Sequence, residues 1–178
     1  MKPITHLRRA LAFLMFIVVA SCQNDYQEFC TLYPVSFSCD ITNAPYNVVT
    51  SMGQFLTVKQ KSGKRNSVTV FNASTQKSTE VALSEVEART ILLGLGGLIL
   101  GLPYFGDGSV CYAYDLACPV CDVASAILKV TDDGHATCPK CSNVYDLNNG
   151  GIVTTGSGRP LYRYHVNHST AATIYVHN

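Results

Sequence analysis

Four cysteines in two matched pairs constrain this chain more than any other feature. Cys118, Cys121, Cys138 and Cys141 follow the spacing Cys-x2-Cys-x16-Cys-x2-Cys, with Pro119 and Pro139 second in each pair. Two sulfurs three residues apart in a tight loop can both face one ion, and a second such loop completes a tetrahedron. The intervening residues read as a hairpin that brings the loops together, with Asp132-Asp133-Gly134 as its turn. All four cysteines are therefore expected as metal ligands. Two rival readings use the same residues: structural disulfides, and a redox-active dithiol in one Cys-x-x-Cys pair.

The N-terminus bears on that choice because it reads as an export signal over residues 1–21. Lys2, Arg8 and Arg9 form a basic start, Leu11–Ala20 is an apolar run, and small residues lead into Cys22. Such a run is too short to cross roughly 30 Å of hydrocarbon as a helix. Val19-Ala20-Ser21-Cys22 resembles a lipobox of bacterial lipoproteins. That resemblance implies lipidation of Cys22, anchorage to a membrane in the bacterial cell envelope and, with Gln23 following, the outer membrane. Residues 22–31 are then a tether and residues 32–178 the folded domain.

The full chain carries a formal net charge of +1, and removing residues 1–21 with their three basic residues leaves −2. No basic stripe marks a nucleic-acid partner. Neither a serine–histidine–acid arrangement nor a pair of carboxylates suggests a hydrolase. The expectation is a non-catalytic protein with a membrane and a redox or envelope protein as partners.

Along residues 32–178 the pattern is of short strands broken by turns, an all-β class. Strand-like runs occur at Leu32–Asp40, Tyr46–Val49, Gln54–Gln60, Ser67–Phe71, Leu98–Leu100, Val110–Tyr114, Ala126–Thr131, Val144–Leu147, Leu161–Val166 and Thr173–His177. Asn72–Thr79 and Asn148–Gly158 read as loops, Gly106-Asp107-Gly108 as a turn, and Leu83–Leu93 as a helix stopped by Gly94. Cys30 and Cys39 are candidates for a bridge, and Cys111 reads as a buried free thiol. His135 reads as a surface residue beside the turn. His165, His168 and His177 have no evident link to the cysteines.

The run Ala113-Tyr114-Asp115-Leu116-Ala117-Cys118-Pro119, then Cys138-Pro139-Lys140-Cys141, Tyr145-Asp146-Leu147, Gly150 and Pro160–Val166, resembles the Rieske-type ferredoxin family. The resemblance implies an antiparallel β-sandwich or barrel carrying a small two-knuckle metal-binding subdomain at about residues 113–147. Cys118 and Cys138 match the family's cysteine positions. The family's two histidine ligands are absent: Val120, followed by Cys121, stands at the first position and Cys141 at the second. Four thiolates suit three occupants: a zinc ion, a single iron, or an all-cysteine [2Fe–2S] cluster that needs the loops further apart. An iron centre implies electron transfer, whereas zinc or disulfides imply a stapled β binding module.

Overall fold

The computed structural model describes residues 29–61, 63–105 and 111–178. The expected signal, the Cys22 lipidation site, most of the tether and the Gly106-Asp107-Gly108 turn lie outside these residues. Among the described residues there are thirteen β-strands, one α-helix and one 3-10 turn, and no helix is long and apolar enough to cross a membrane.

The strands are β1 (Val35–Asp40), β2 (Gln54–Gln60), β3 (Ser67–Asn72), β4 (Lys77–Ala82), β5 (Leu92–Leu93), β6 (Leu98–Leu102), β7 (Tyr112–Asp115), β8 (Lys129–Val130), β9 (His135–Thr137), β10 (Val144–Asp146), β11 (Ile152–Thr155), β12 (Arg163–His168) and β13 (Thr173–His177). They form two sheets in which named strands pair antiparallel. A nine-stranded sheet runs β4-β3-β2-β6-β7-β12-β13-β1-β5, and a four-stranded sheet runs β11-β10-β9-β8.

Period-two alternation explains how the large sheet supports the small one. Leu56 and Val58 of β2, Leu98 and Leu100 of β6, and Ala113 of β7 face one core. Phe37, Tyr164, Ile174 and Val176 from β1, β12 and β13 join it, so distant strands of the sheet curl around a common interior. The intervening residues Phe55, Ile99 and Tyr114 point the other way, into a second core with Leu128, Ala136, Tyr145 and Leu147. Because both faces of β6 are covered, all five of its residues are buried, which is why Leu98–Leu102 is continuously apolar rather than alternating.

Several sequence expectations are corrected. Tyr46–Val49 belongs to a 3-10 turn, Tyr46–Thr50, not a strand. The Asn43 carbonyl accepts from both Tyr46 N–H and Asn47 N–H, which winds the chain and buries Tyr46 and Val49 on one side. The expected loop Asn72–Thr79 runs into the first half of β4, and the expected loop Asn148–Gly158 contains β11. Both are edge strands with mostly exposed side chains, so their pairing leaves no apolar signature. Within the expected strand Ala126–Thr131, only Lys129–Val130 pairs as a strand.

The expected helix is shorter, α1 (Glu85–Thr90), because Leu92 and Leu93 pair with β1. Its start is a capping box: Ser84 Oγ accepts from Glu87 N–H, and Glu87 Oε2 accepts from Ser84 N–H. Nothing on α1 is buried, so the cap is a large share of what holds it. Ser84→Ala is expected to weaken the helix by about 1 kcal/mol. Hydrogen exchange at Ala88 and Ile91, which donate to the first-turn carbonyls, should then accelerate about fivefold.

Candidate metal centre

The small sheet holds the two cysteine loops, and the two are built alike. In the first, Asp122 N–H donates to the Cys118 carbonyl at 2.9 Å; in the second, Ser142 N–H donates to the Cys138 carbonyl at 2.9 Å. Asp122 (φ +50°) and Ser142 (φ +62°), each directly after the second cysteine, take the left-handed conformation. That reversal turns both sulfurs of a pair to the same side. It is an uncommon conformation for residues with a Cβ, and this chain adopts it twice at matched positions.

Each loop is tied down at its first cysteine. Cys118 N–H donates to the Ala126 carbonyl and Cys138 N–H to the Asn143 carbonyl, both at 2.9 Å. The expected connecting hairpin is present as β8 and β9. In its turn, Asp133 Oδ1 accepts from Thr131 Oγ1 at 2.5 Å and from His135 N–H at 3.2 Å. Gly134 sits there at φ +79°, and a Cβ would lie 2.1 Å from the Asn148 side chain, so glycine is required.

The result brings all four sulfurs to within 4.8 Å of one another. The two hydrogen-bond-range pairs cross between the loops: Cys118 Sγ to Cys141 Sγ at 3.6 Å and Cys121 Sγ to Cys138 Sγ at 3.8 Å. None is in a disulfide. Cys118 and Cys138 are fully buried, whereas Cys121 and Cys141 are half-buried. The site therefore has a closed inner side and an accessible outer side.

Polar neighbours surround the sulfurs. Tyr145 Oη lies 3.3 Å from Cys118 Sγ, and Lys140 N–H donates to Cys138 Sγ at 3.4 Å. Asn143 holds Tyr145 Oη from its side-chain amide and also donates to the Ser157 carbonyl at 2.8 Å. Burial works to raise the Cys118 thiol, but hydrogen bonds from Tyr145 and from the Cys121 and Val120 amides prevail and bring it down to about 7. Cys121 is pushed up to about 12 by desolvation and by the neighbouring cysteines. Thiols this close cannot all ionise without a cation among them, and supplying one releases their protons. Four soft thiolates in a compact cluster fit zinc or iron.

Two carboxylates fasten the first loop to the large sheet. Asp115 is fully buried at the end of β7. Its Oδ1 accepts from Ala117 N–H at 2.7 Å and Gly96 N–H at 3.0 Å. Its Oδ2 accepts from Leu95 N–H at 2.6 Å and Tyr164 Oη at 2.7 Å. Burial raises the Asp115 carboxyl above its ordinary value, against the pull of these donors. Asp122 is at the surface, where Oδ1 accepts from Tyr162 Oη and from Tyr33 Oη, each at 2.7 Å.

Sequence spacing thus finds the four cysteines but not their supports Tyr145, Asn143 and Asp122. Asp115 did leave a signal, a lone carboxylate at the end of an apolar strand, since such a charge is buried only where donors converge on it.

The remaining candidates do not join the site. His135 is half-buried with Nδ1 3.2 Å from Asp133, rather than fully at the surface. His165, His177, Tyr175 and Phe29 form a chain of stacked rings elsewhere. The expected Cys30–Cys39 bridge is not made: Cys30 hydrogen-bonds to Arg163 of β12, whereas Cys39 sits in β1 opposite Ile174 of β13. Both are buried free thiols, as is Cys111. Burial pushes the Cys39 and Cys111 thiols up to about 12, which suits packing rather than ligation. Phe29 and Cys30, at the end of the expected tether, already pack against the domain.

Comparison of the chain with known protein families, with curated proteins and with solved structures finds no match in any of the three.

Proposed function

We propose that this chain is a non-catalytic metalloprotein of the bacterial envelope, anchored through a lipid on Cys22. In this reading its Rieske-like β domain carries one metal ion on Cys118, Cys121, Cys138 and Cys141. The observation that carries the metal assignment is the span of the sulfurs. A tetrahedral ion with metal–sulfur bonds of about 2.3 Å separates its ligands by about 3.8 Å. The two cross-loop pairs stand at 3.6 and 3.8 Å, with every pair inside 4.8 Å. A [2Fe–2S] cluster interposes two sulfides between its irons, so thiolates on opposite irons must stand further apart. The compact arrangement favours a mononuclear centre.

Its first role is to hold the small sheet. The strands of that sheet have only two to four residues each, too few to be stable on pairing alone. The ion crosslinks the loop before β8 to the loop after β9, and the metal-binding free energy becomes folding free energy.

A second reading, electron transfer by a single iron, draws on the outer side of the site. Cys121 and Cys141 are accessible, and Val120 and Val123 beside them are 42% and 37% exposed. An iron there would have a short path to a docked redox partner. Protein purified without added metal separates the two. A colourless protein with one zinc per chain is expected for the staple; a coloured protein with one iron and no acid-labile sulfide would establish the carrier. Acid-labile sulfide would overturn the mononuclear assignment.

A further inference from the structure

A cleft of about 550 Å³ opens where the small sheet stops covering the large one. Its first wall is the outward face of β2 and β3. Thr57 pairs with Phe71, and Lys59 with Thr69, in register. Phe55, further along the same face, is buried in the second core. The opposite wall is β8, the edge strand of the small sheet, carrying Lys129. Between them the floor is apolar, with Leu116 and Leu128 tied by the Leu128 N–H to Leu116 carbonyl bond at 2.9 Å.

Charge is concentrated at this opening. Lys59, Lys61 and Lys129 line the cleft, and Lys61, Lys64 and Arg65 line the adjoining hollow at the β2–β3 turn. Together these are five of the ten Lys and Arg residues that follow residue 21, in a segment whose net charge is negative. Glu80 engages both Lys61 and Lys64. Among the described residues no carboxylate lies within ion-pair distance of Lys59 or Lys129. Two unpaired ammonium groups therefore stand on opposite walls of a mostly apolar trough, above the nearly buried hydroxyl-bearing Thr57.

We propose that this cleft binds an amphiphilic organic anion, its apolar body on the Phe71–Leu116–Leu128 floor and its acid group between Lys59 and Lys129. The volume suits a ligand of roughly drug size, and a junction between packed units is a common place for such sites. Ala126, next to the cleft-lining Ile127 and Leu128, accepts through its carbonyl from Cys118 N–H at 2.9 Å, so the site is a neighbour of the cysteine cluster but needs no metal of its own.

The test uses the fluorescent apolar sulfonate 8-anilinonaphthalene-1-sulfonate on the purified protein. One saturable site is expected, with affinity that declines as salt is added. The uncharged counterpart N-phenyl-1-naphthylamine should bind about tenfold more weakly. Lys59→Met combined with Lys129→Met should weaken sulfonate binding about tenfold and reduce its salt dependence, with the thermal midpoint unchanged. Lys77→Met, outside the cleft, serves as the control and should leave binding as it was. Equal affinity for the charged and uncharged probes, or unchanged binding in the double variant, would overturn the proposal. So would displacement of the probe by polyglutamate at lower concentration than by laurate, because the surface would then serve an acidic protein.

Discussion

Cys138→Ser is expected to release the metal and to unfasten the small sheet while leaving the large sheet folded. Cys138 is fully buried, and its N–H closes onto the Asn143 carbonyl. Removing one of four thiolates leaves three that cannot complete a tetrahedron, and the loops lose their only crosslink in the proposed reading. Structural zinc sites contribute on the order of 10 kcal/mol to the folding of the units they hold. A loss of about 4 kcal/mol in the small sheet corresponds to about a thousandfold faster amide exchange. That acceleration should appear in β9 and β10, whereas β2 and β6, paired over five positions in the large sheet, keep their protection. Cys111→Ser is the matched control, since it changes a buried thiol that is not in the cluster. Its metal content should equal that of the parent protein. Lost metal with unchanged exchange in β9 and β10 would mean that the ion is not what holds the sheet.

The second large effect is expected at Asp115, which touches no sulfur. Asp115→Ala leaves the N–H groups of Leu95, Gly96 and Ala117 and the hydroxyl of Tyr164 without their acceptor. Each stranded buried donor costs about 1–3 kcal/mol. Relief of the buried charge offsets part of that, for a net loss of about 3–5 kcal/mol. In a domain of this size the thermal midpoint should fall by roughly 10 °C. Asp115→Asn restores the size but turns an amide N–H₂ toward some of the same donors, so it should recover only part of the loss. Gly94 makes the site less tolerant still: it sits at φ +72°, and a Cβ there would lie 2.3 Å from Asp115 Oδ2. Calorimetry on the variants measures the effect, and a change under about 1 kcal/mol would show that the network is not a support.

The parts of the fold that were legible in the sequence share a physical cause. Gln54–Gln60 and Thr173–His177 are strands as expected: Thr173–His177 buries alternate side chains and carries the period in its residues, whereas Gln54–Gln60 is buried on both faces from Phe55 to Val58 and shows as a short run bounded by a turn. The hairpin between the cysteine pairs was legible through Gly134, whose positive φ and close approach to Asn148 leave no choice of residue. β4 and β11 were not legible. Their residues face solvent at sheet edges, so what makes them strands is the hydrogen-bond ladder of β3 and β10, which composition does not record. The cysteine cluster was legible by spacing alone, since loop geometry depends on local sequence. Tyr145 and Asp122 were not, because their roles come from contacts with Cys118, Tyr33 and Tyr162 across the fold.

The same distinction separates the geometry of the site from its occupant. Spacing brings four thiols together, but zinc and single iron accept the same tetrahedron. In the proposed reading, the nearness of Cys121 to Cys138 and of Cys118 to Cys141 favours a single ion over a cluster. The proposed envelope location rests on the expected signal over residues 1–21 and the proposed lipidation of Cys22, and mass spectrometry of the mature N-terminus tests both. A diacylglyceryl-modified Cys22 is the expected form.

X-ray absorption at the metal edge, combined with metal and sulfide analysis of the same sample, tests the central claim most directly. A single metal per chain is expected, with four sulfur neighbours at about 2.3 Å, no second metal in the next shell and no acid-labile sulfide. A metal–metal scatterer with two sulfides per chain would contradict it, and so would a metal-free protein whose sulfurs are joined in pairs at about 2.05 Å.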